Sequence, residues 1–399
     1  MLPFTIEKGN CTGCTACYAI CPVKCIEMKP DEEGFLYPIS SDKCIHCKKC
    51  EEVCPQQTPN SAFTMKQEAF AACSNDRQIW KRSSSGGAFS EICYSFGDSN
   101  TLFVGAVWNN FSVQHIGVGI DNLGVLCKSK YIASEIGNTF NQIKKHLLQG
   151  EKVVFCGTPC QVAGLKKFLG KDYEKLLLVD FICHGVGSPK VFRTCINLMG
   201  KQLNDEIISY EFRAKRNIIE TDYLTKVVTK KHMDGIYLIN DPYIQLFLQQ
   251  QCLRPSCGKS CKYRDERRQG DITISDFKGL AYVFPRLAGS KVNYSSVIAN
   301  TIKGAKVVST LSNKMSLYPC EIEEIKKYNP LFYRQTYFSE KRDIFFKEYI
   351  SFPDTTVRNW TSDVAKYKKK IAKKVYDLLP TQIRQRLWQL FHKKNNEKK

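Results

Sequence analysis

Apolar and polar residues alternate along most of the chain in runs that predict strands and helices in turn. Val153–Cys156 is a short apolar run of the kind found in buried strands, and helical periodicity follows from about Pro159 to Leu169. Leu176–Ile182 repeats the pattern and leads through a loop into another predicted helix. This alternation is typical of a mixed α/β domain with parallel strand pairing. Later predicted strands, which make the domain more α+β, lie near Ile207–Phe212, Tyr223–Val228, Ile272–Ile274 and Val292–Ala299.

The first 60 residues are different, because they are organised around two similar runs of cysteine. Each run has the spacing Cys-x2-Cys-x2-Cys-x3-Cys-Pro, which is that of bacterial ferredoxins with two [4Fe–4S] clusters. In that arrangement the fourth cysteine of each run binds the cluster of the other run. The spacing therefore assigns one cluster to Cys11, Cys14, Cys17 and Cys54, and the second cluster to Cys44, Cys47, Cys50 and Cys21.

Two other uses of cysteine fit this segment less well. A zinc site favours paired Cys-x2-Cys motifs or mixed Cys/His ligands, and a disulfide framework needs an oxidising compartment. The N-terminus has no secretory signal pattern, so a chain with 20 cysteines is expected in a reducing cytoplasm. Between the runs, Ile26–Met28 and Phe35–Tyr37 predict a short hairpin. Residues 1–60 are therefore a predicted ferredoxin-type domain with two [4Fe–4S] clusters.

Composition and charge add a basic C-terminal segment to this picture. The chain has 399 residues, 43% of them hydrophobic, and no apolar run long enough to cross a bilayer. Of the net charge of +20, residues 361–399 carry +9 on two stretches of helical periodicity separated by Pro380. This predicted helical tail either packs on the body with a solvated basic face or contacts an anionic membrane surface. The basic excess elsewhere suits an acidic protein partner or an anionic cofactor, and no nucleic-acid-binding module is recognisable.

Two glycine-bearing turns in the larger domain are candidate phosphate sites. One precedes a predicted helix, where free backbone amides and the helix dipole favour an anion. The other follows the strand Val153–Cys156, and open α/β sheets bind ligands at the carboxyl ends of their strands. Either turn alone is also an ordinary helix start. The candidate cofactor-binding residues are Ser85, Gly86, Gly87, Gly157, Thr158 and Pro159.

Three longer motifs stand out in the same domain. They are Cys156–Leu165 (CGTPCQVAGL), Cys183–Pro189 (CHGVGSP) and Asp271–Gly279 (DITISDFKG), with shorter matches at Ser85–Gly87, Phe212–Lys215 and Cys252–Cys257. Together they resemble the motifs of the coenzyme F420 hydrogenase/dehydrogenase beta-subunit family, and the resemblance spans about residues 70–279. The chain departs from the family pattern at Gly187, where proline is common, and at Lys278, where an aromatic residue is common.

The resemblance implies a flavin-binding domain over residues 66–350, normally with FAD, which exchanges electrons between iron–sulfur clusters and an organic two-electron partner. That partner is the deazaflavin F420 in some members, and stand-alone bacterial members are often associated with polysaccharide assembly. His184, in the second motif, is a candidate catalytic residue that orients a flavin or protonates a substrate. The alternative is a loop histidine that satisfies backbone carbonyl groups. Arg213 and Lys215 either meet an anionic ligand or form a solvated pair.

A third [4Fe–4S] cluster is also implied by the resemblance. Cys257 and Cys261, preceded by Cys252, resemble a later cysteine group of the family, while Cys160 and Cys183 lie in motif loops. The predicted ligand set is Cys160, Cys252, Cys257 and Cys261, with ordinary buried thiols as the alternative. The remaining cysteines are predicted to be small core residues; they are Cys25, Cys73, Cys93, Cys127, Cys195 and Cys320.

The predicted fold class is α+β, with a small ferredoxin-like domain, a larger mixed α/β flavin domain and a helical basic tail (residues 361–399). The predicted function is that of a cytoplasmic oxidoreductase, peripheral at the membrane if the tail binds lipid, which passes electrons from [4Fe–4S] clusters through FAD to an organic acceptor. Ferredoxin or another low-potential protein is the expected donor or acceptor. The alternatives are a non-catalytic electron-transfer or scaffold subunit, and a carbohydrate-modifying protein that retains the flavin fold only structurally.

Overall fold

The N-terminal head consists of two short helices and one hairpin. The computed structural model describes residues 6–57, 66–215, 224–258, 261–264, 266–290, 292–333 and 340–366. In the head, α1 (Ala16–Ile20) and α2 (Lys49–Glu52) follow the cysteine loops. The strands β1 (Ile26–Pro30) and β2 (Leu36–Ser40) pair antiparallel, which confirms the predicted hairpin.

The larger part of the chain contains most of the regular structure. Its strands are β3 (Glu68–Ser74), β4 (Leu102–Asn109), β5 (Ser112–Val118), β6 (Val153–Cys156), β7 (Leu176–Phe181), β8 (Ile207–Glu211), β9 (Thr225–Thr229), β10 (Ile236–Ile239), β11 (Ile272–Asp276), β12 (Ser295–Ala299), β13 (Met315–Cys320) and β14 (Ala365–Lys366). Its helices are α3 (Arg77–Arg82), α4 (Ala88–Phe96), α5 (Thr139–Leu148), α6 (Pro159–Leu169), α7 (Pro189–Leu203), α8 (Pro242–Leu248), α9 (Leu280–Val283), α10 (Ile302–Ser309), α11 (Ile322–Tyr328), α12 (Lys341–Ser351) and α13 (Pro353–Trp360).

The main sheet has eight strands in the order β13-β3-β12-β11-β7-β6-β4-β5. The four strands β11, β7, β6 and β4 are mutually parallel, whereas the strands on both sides of them pair antiparallel. The carboxyl ends of β6, β7 and β11 consequently meet at one edge of the sheet, where ligands of α/β proteins bind. The predicted mixed α/β architecture with a ferredoxin-like head is confirmed.

Local sequence explains why helices begin at this edge. Thr158 caps α6 together with Gln161 in a reciprocal capping box, and Pro159 occupies the first turn. Ser188 caps α7, because its side chain accepts a hydrogen bond from the amide of Val191 at 3.1 Å. The loops between these strands and caps are short, so their side chains are held near the sheet edge.

A second, antiparallel sheet has the strand order β14-β10-β9-β8. It draws the first residues of the predicted tail into the fold: Val364 packs on the hydrophobic core, and the Ser362 amide donates to the Gln245 side chain at 3.0 Å. The rest of the predicted basic tail, residues 367–399, lies outside the described residues. None of the helices in the described ranges is long and apolar enough to span a membrane.

Candidate redox centres and cofactor cavity

The first four predicted ligands surround one small cavity beneath the head, which we name the inner cavity. Cys11, Cys14, Cys17 and Cys54 all line it, and each is at most 9% exposed. Burial raises the pKa of the Cys17 thiol, and the charges of the other three thiols raise it further. The structure therefore brings together three cysteines of the first run and the last cysteine of the second run, as the crossed assignment requires.

The other four predicted ligands surround a cavity at the far side of the head, the outer cavity. Its lining includes Cys21, Cys44, Cys47 and Cys50, with Cys25 beside them. Cys47 is exposed, and Cys21, Cys44 and Cys50 are partly exposed. The outer cavity therefore lies at the protein surface, whereas the inner one is covered.

The spacing of the cysteines that line these cavities is that of cluster ligands. No three His, Cys, Asp or Glu side chains in the described part of the chain are placed to share one metal ion. A [4Fe–4S] cluster requires a wider spacing, because each of its four thiolates binds a different iron atom. A zinc ion would instead draw four ligands to within about 2.3 Å.

A buried arginine from the larger domain meets the inner cavity. Arg254 is 2% exposed; its Nε donates to the Cys11 carbonyl oxygen at 2.8 Å, and its Nη2 donates to the Leu36 carbonyl oxygen at 2.8 Å. Nη2 also lies 3.8 Å from Cys11 Sγ. The guanidinium stacks over the ring of Tyr37 at 4.3 Å. A buried cation at this position suits the negative charge of an iron–sulfur cluster with four thiolate ligands.

A third group of four cysteines lies at the edge of the main sheet. Burial raises the pKa of the Cys160 thiol, and the charges of Cys183, Cys257 and Cys261 raise it further. Burial also raises the pKa of Cys183 to about 12, again with contributions from Cys257 and Cys261. A Cβ atom on Gly185 would lie 3.2 Å from Cys257 Cβ, so the loops that carry Cys183 and Cys257 are in contact.

This group differs from the predicted ligand set in one member. Cys252 is fully buried in the hydrophobic core with Cys195 and Tyr243, and its carbonyl oxygen accepts the Ser188 amide at 2.9 Å. The structure therefore places Cys183, and not Cys252, with the other three cysteines. The ligand set of a third cluster stays a prediction. Cys183 immediately follows β7, so its position at the sheet edge depends on tertiary structure that the spacing of the late cysteines does not show.

Hydrogen-bond donors point at the sulfur atoms of the third group. The Gly185 amide donates to Cys183 Sγ at 3.3 Å, and the Val186 amide donates to Cys257 Sγ at 3.4 Å. Thr158 Oγ1 lies 3.0 Å from Cys160 Sγ. Such donors stabilise thiolates and tune cluster potentials. The four cysteines and their surroundings are thus suited to a further [4Fe–4S] cluster.

The inner cavity and the third cysteine group are neighbours. A Cβ atom on Gly164 would lie 2.8 Å from Cys14 Sγ, and Cys160 is one helical turn earlier on the same helix α6. Burial raises the pKa of Tyr263, and the thiolate charges of Cys160 and Cys14 raise it further, so its hydroxyl lies near both groups. The absence of a side chain at Gly164 allows the head to approach α6 closely.

A much larger cavity, of about 550 Å³, opens beside the third group at the carboxyl ends of the parallel strands. Of the predicted cofactor-binding residues, Ser85, Gly87, Gly157 and Thr158 line it, as does His184. Gly86 and Pro159 are outside the lining. A Cβ atom on Gly86 would lie 2.2 Å from the Ala72 carbonyl oxygen, so this glycine allows close packing against β3, and Pro159 starts α6.

The walls of the large cavity carry several cations. Lys128, Lys130, Arg213 and Lys278 contribute to its lining, and Arg213 pairs with Asp276 at 2.6 Å. Lys130 Nζ donates to the Cys127 carbonyl oxygen at 2.7 Å, and burial lowers its pKa to about 8. The sequence analysis did not assign Lys128 and Lys130 to a ligand site. They belong to no motif, and a positive charge alone does not distinguish them from the other lysines of the chain. The cavity is suited to an anionic ligand.

Two histidines in the cavity wall are neutral near pH 7. Burial lowers the pKa of His184 to about 4, and its Nε2 lies 3.2 Å from the Phe247 carbonyl oxygen. Burial likewise lowers the pKa of His115 to about 4; its Nε2 contacts the Cys156 carbonyl oxygen at 3.2 Å. A neutral ring with this contact donates from Nε2. His184 is therefore placed to orient a ligand, and it holds no imidazolium proton to donate near pH 7. Its catalytic assignment stays a prediction.

Comparison with known families agrees with these features. The family model for the C-terminal part of the coenzyme F420 hydrogenase/dehydrogenase beta subunit matches residues 150–327, and the model of a 4Fe-4S dicluster domain matches residues 10–58. The fold and the cysteine-lined cavities are thus those of an iron–sulfur electron-transfer protein. Residues 150–327 are thus similar to the coenzyme F420 hydrogenase/dehydrogenase beta subunit, which confirms the predicted resemblance, and the predicted [4Fe–4S] head is confirmed over residues 10–58.

Two curated relatives are similar to this chain over about 60 residues each. An uncharacterized polyferredoxin-like protein of Methanocaldococcus jannaschii is 33% identical over 63 residues, which are 14% of this chain and 38% of the relative. A ferredoxin-like protein in the nif region of Sinorhizobium fredii is 38% identical over 60 residues, 14% of this chain and 88% of the relative. Among solved structures, the F420-reducing [NiFe] hydrogenase complex of Methanosarcina barkeri gives a TM-score of 0.45 and 17% identity, covering 76% of this chain and 94% of that chain.

Proposed function

We propose that this protein is an iron–sulfur flavoenzyme that connects a one-electron carrier protein to an organic two-electron partner. The observation that carries the proposal is the continuous series of sites: the outer cavity at the surface, the inner cavity, the cysteines Cys160, Cys183, Cys257 and Cys261, and then the large cavity, whose wall includes Cys183. Iron–sulfur clusters carry single electrons and a flavin exchanges one or two, so such a series suits this function.

The large cavity supports FAD as the proposed flavin. Its volume of about 550 Å³ lies in the range of cofactor pockets. Gly157 and Thr158 contribute backbone at the carboxyl end of β6, and the Lys130 ammonium group offers positive charge for a pyrophosphate. Lys278 also lines the large cavity, and burial lowers the pKa of its ammonium group.

Gentle anaerobic purification tests this proposal. The isolated protein is expected to carry about one FAD and about twelve iron atoms, or about eight if the third cysteine group binds no cluster. Full iron content with no bound flavin, and no flavin uptake on reconstitution, would instead support a non-catalytic electron-transfer or scaffold subunit.

The identity of the organic partner, including the polysaccharide-assembly setting implied by the resemblance, is a further proposal. Neighbouring glycosyltransferase genes would support that setting, and hydrogenase genes would oppose it.

The outer cavity supports docking of an acidic electron-carrier protein such as ferredoxin. Ile45 and Val23 are 60% and 38% exposed next to this cavity. Four exposed lysines lie close to them in the sequence, of which Lys48 and Lys49 line the cavity, and we name these the outer lysines: Lys24, Lys43, Lys48 and Lys49. An apolar centre with a basic rim, at the most exposed cluster site, complements an acidic partner and increases its association rate.

Charge reversal of the four outer lysines to glutamate is expected to slow electron transfer from a reduced acidic [2Fe–2S] ferredoxin at least about tenfold at low ionic strength, because electrostatic steering is lost. Stopped-flow absorbance would measure the second-order rate constant across a series of salt concentrations. The matched control reverses four exposed lysines elsewhere, Lys145, Lys306, Lys341 and Lys347, for the same change in net charge. Equal slowing in both variants would contradict the docking site.

Membrane contact through the basic tail is a separate proposal, which is tested by truncation after Lys366. A deletion that starts at Thr361 would remove β14 and so confuse folding with binding. Residues 367–399 carry +9 net charge, and each Lys or Arg near an anionic surface contributes about 1 kcal/mol. Truncation is expected to abolish salt-sensitive binding to anionic liposomes in a sedimentation assay while iron content stays unchanged. Failure of the full-length protein to bind at low salt would exclude this role.

A further inference from the structure

The outer cavity contains a fifth thiol. Cys25 is 5% exposed and immediately precedes β1, and its side chain lines the cavity together with the four predicted ligands. Its Sγ lies 3.5 Å from Cys21 Sγ, and its backbone amide donates to the same sulfur at 3.4 Å. Its thiol also interacts with that of Cys44. Cys25 therefore contacts the proposed ligand Cys21 directly and lines the same cavity as the other three.

Among the described residues, the inner cavity has no equivalent thiol. The cysteines of its lining are Cys11, Cys14, Cys17 and Cys54. The two cysteine runs repeat at an interval of 33 residues, so the counterpart of Cys25 in the sequence is Thr58. The two otherwise similar sites thus differ by one thiol.

Packing alone does not account for the orientation of Cys25. Cys25 is buried in the hydrophobic core beside Ile26, as the sequence predicts for a small residue. In addition to filling this space, Cys25 directs both its amide and its thiol towards Cys21 Sγ. Hydrogen bonds to ligating sulfur atoms tune iron–sulfur clusters, and a thiol in this position is itself a competent iron ligand.

We propose that Cys25 is a reserve ligand of the outer cluster, which binds iron when Cys21 does not. In the exchange, Cys25 gives up its thiol proton and its sulfur forms an Fe–S bond, while the bond from iron to Cys21 sulfur breaks and that sulfur takes up a proton. No electron is gained or lost. The outer cluster is the more exposed of the two clusters in the head. At this site the Cys25 thiol would keep the iron atom that Cys21 binds from being lost. The inference rests on the ligand assignment proposed above.

Cysteine variants of the whole protein, reconstituted anaerobically, test the inference by iron analysis and electron paramagnetic resonance. Cys21→Ala is expected to retain the outer cluster with its full iron content, whereas Cys21→Ala combined with Cys25→Ala loses it. Cys25→Ala alone retains both clusters. Cys54→Ala is the matched control at the inner site: it is expected to damage the inner cluster, which has no reserve thiol, and to leave the outer cluster intact.

The outcomes separate this inference from the ligand assignment itself. Loss of the outer cluster in Cys21→Ala, to the same extent as in the double variant, would overturn the reserve role. The spectrum of the inner cluster reports folding in each sample. Cys47→Ala is expected to remove the outer cluster; if that variant kept it, the ligand assignment would be wrong. If Cys47→Ala and Cys21→Ala both lose the outer cluster, the assignment stands and only the role of Cys25 fails.

Discussion

Replacing Cys183 by alanine is expected to remove about four of about twelve iron atoms and to leave both clusters of the head intact. The reason is that Cys183 is a member of the third cysteine group and also lines the large cavity. Reduction of bound flavin by the head clusters should slow by orders of magnitude, because the intervening carrier is lost. Iron analysis, paramagnetic resonance and stopped-flow flavin absorbance would measure these effects.

The matched control for this experiment is Cys252→Ala. Cys252 is equally buried but packs in the core with Cys195 and Tyr243, so its replacement is expected to leave the iron content unchanged. The reverse result, with iron lost in Cys252→Ala and retained in Cys183→Ala, would restore the ligand set implied by the family resemblance. A wild-type protein with only about eight iron atoms would show that the third group binds no cluster.

The contrast between the head and the third group shows what cysteine spacing can predict. The eight cysteines of the head lie between Cys11 and Cys54, and the chain wraps locally around each cavity, so spacing alone is informative. The third group instead gathers residues from separate segments: Cys160 lies in the first turn of α6, Cys183 follows β7, Cys257 ends a short 3-10 helix, and Cys261 follows that helix. Proximity in sequence favoured Cys252, but the carboxyl ends of parallel strands place Cys183 there.

The sequence likewise predicted individual strands and helices of the fold but not the arrangement of the strands. Hydrophobic pattern predicted β6, α6 and β7 to within one residue, because each is a clear apolar run or helical period. The same pattern does not contain strand order or direction. It therefore missed that β12 and β3 run antiparallel beside the parallel strands, and that β14 joins a second sheet. Two cations of the large cavity, Lys128 and Lys130, were missed for the same reason, since they reach it only through the tertiary fold.

Arg254→Met is expected to lower the midpoint potential of the inner cluster on the order of 100 mV. A unit charge about 4 Å from another interacts by about 4 kcal/mol at an effective dielectric constant of 20, and reduction adds negative charge next to this guanidinium. Nη2 of Arg254 lies 3.8 Å from Cys11 Sγ, and the residue is 2% exposed, so solvent screens the interaction little. A redox titration followed by paramagnetic resonance would measure both cluster potentials.

Arg254→Lys separates charge from packing in the same experiment. Lysine keeps the positive charge, so the midpoint potential of the inner cluster should stay close to that of the wild-type protein. Lysine cannot donate to the carbonyl oxygens of both Cys11 and Leu36 as Arg254 does, so the contact between head and body should weaken. The outer cluster is the internal reference, and its potential should be nearly the same in both variants. An unchanged inner potential in Arg254→Met, at full iron content, would mean that Arg254 only joins the head to the body. A fall confined to the inner cluster would mean that the larger domain sets the potential of its nearest ferredoxin-type cluster through one buried charge.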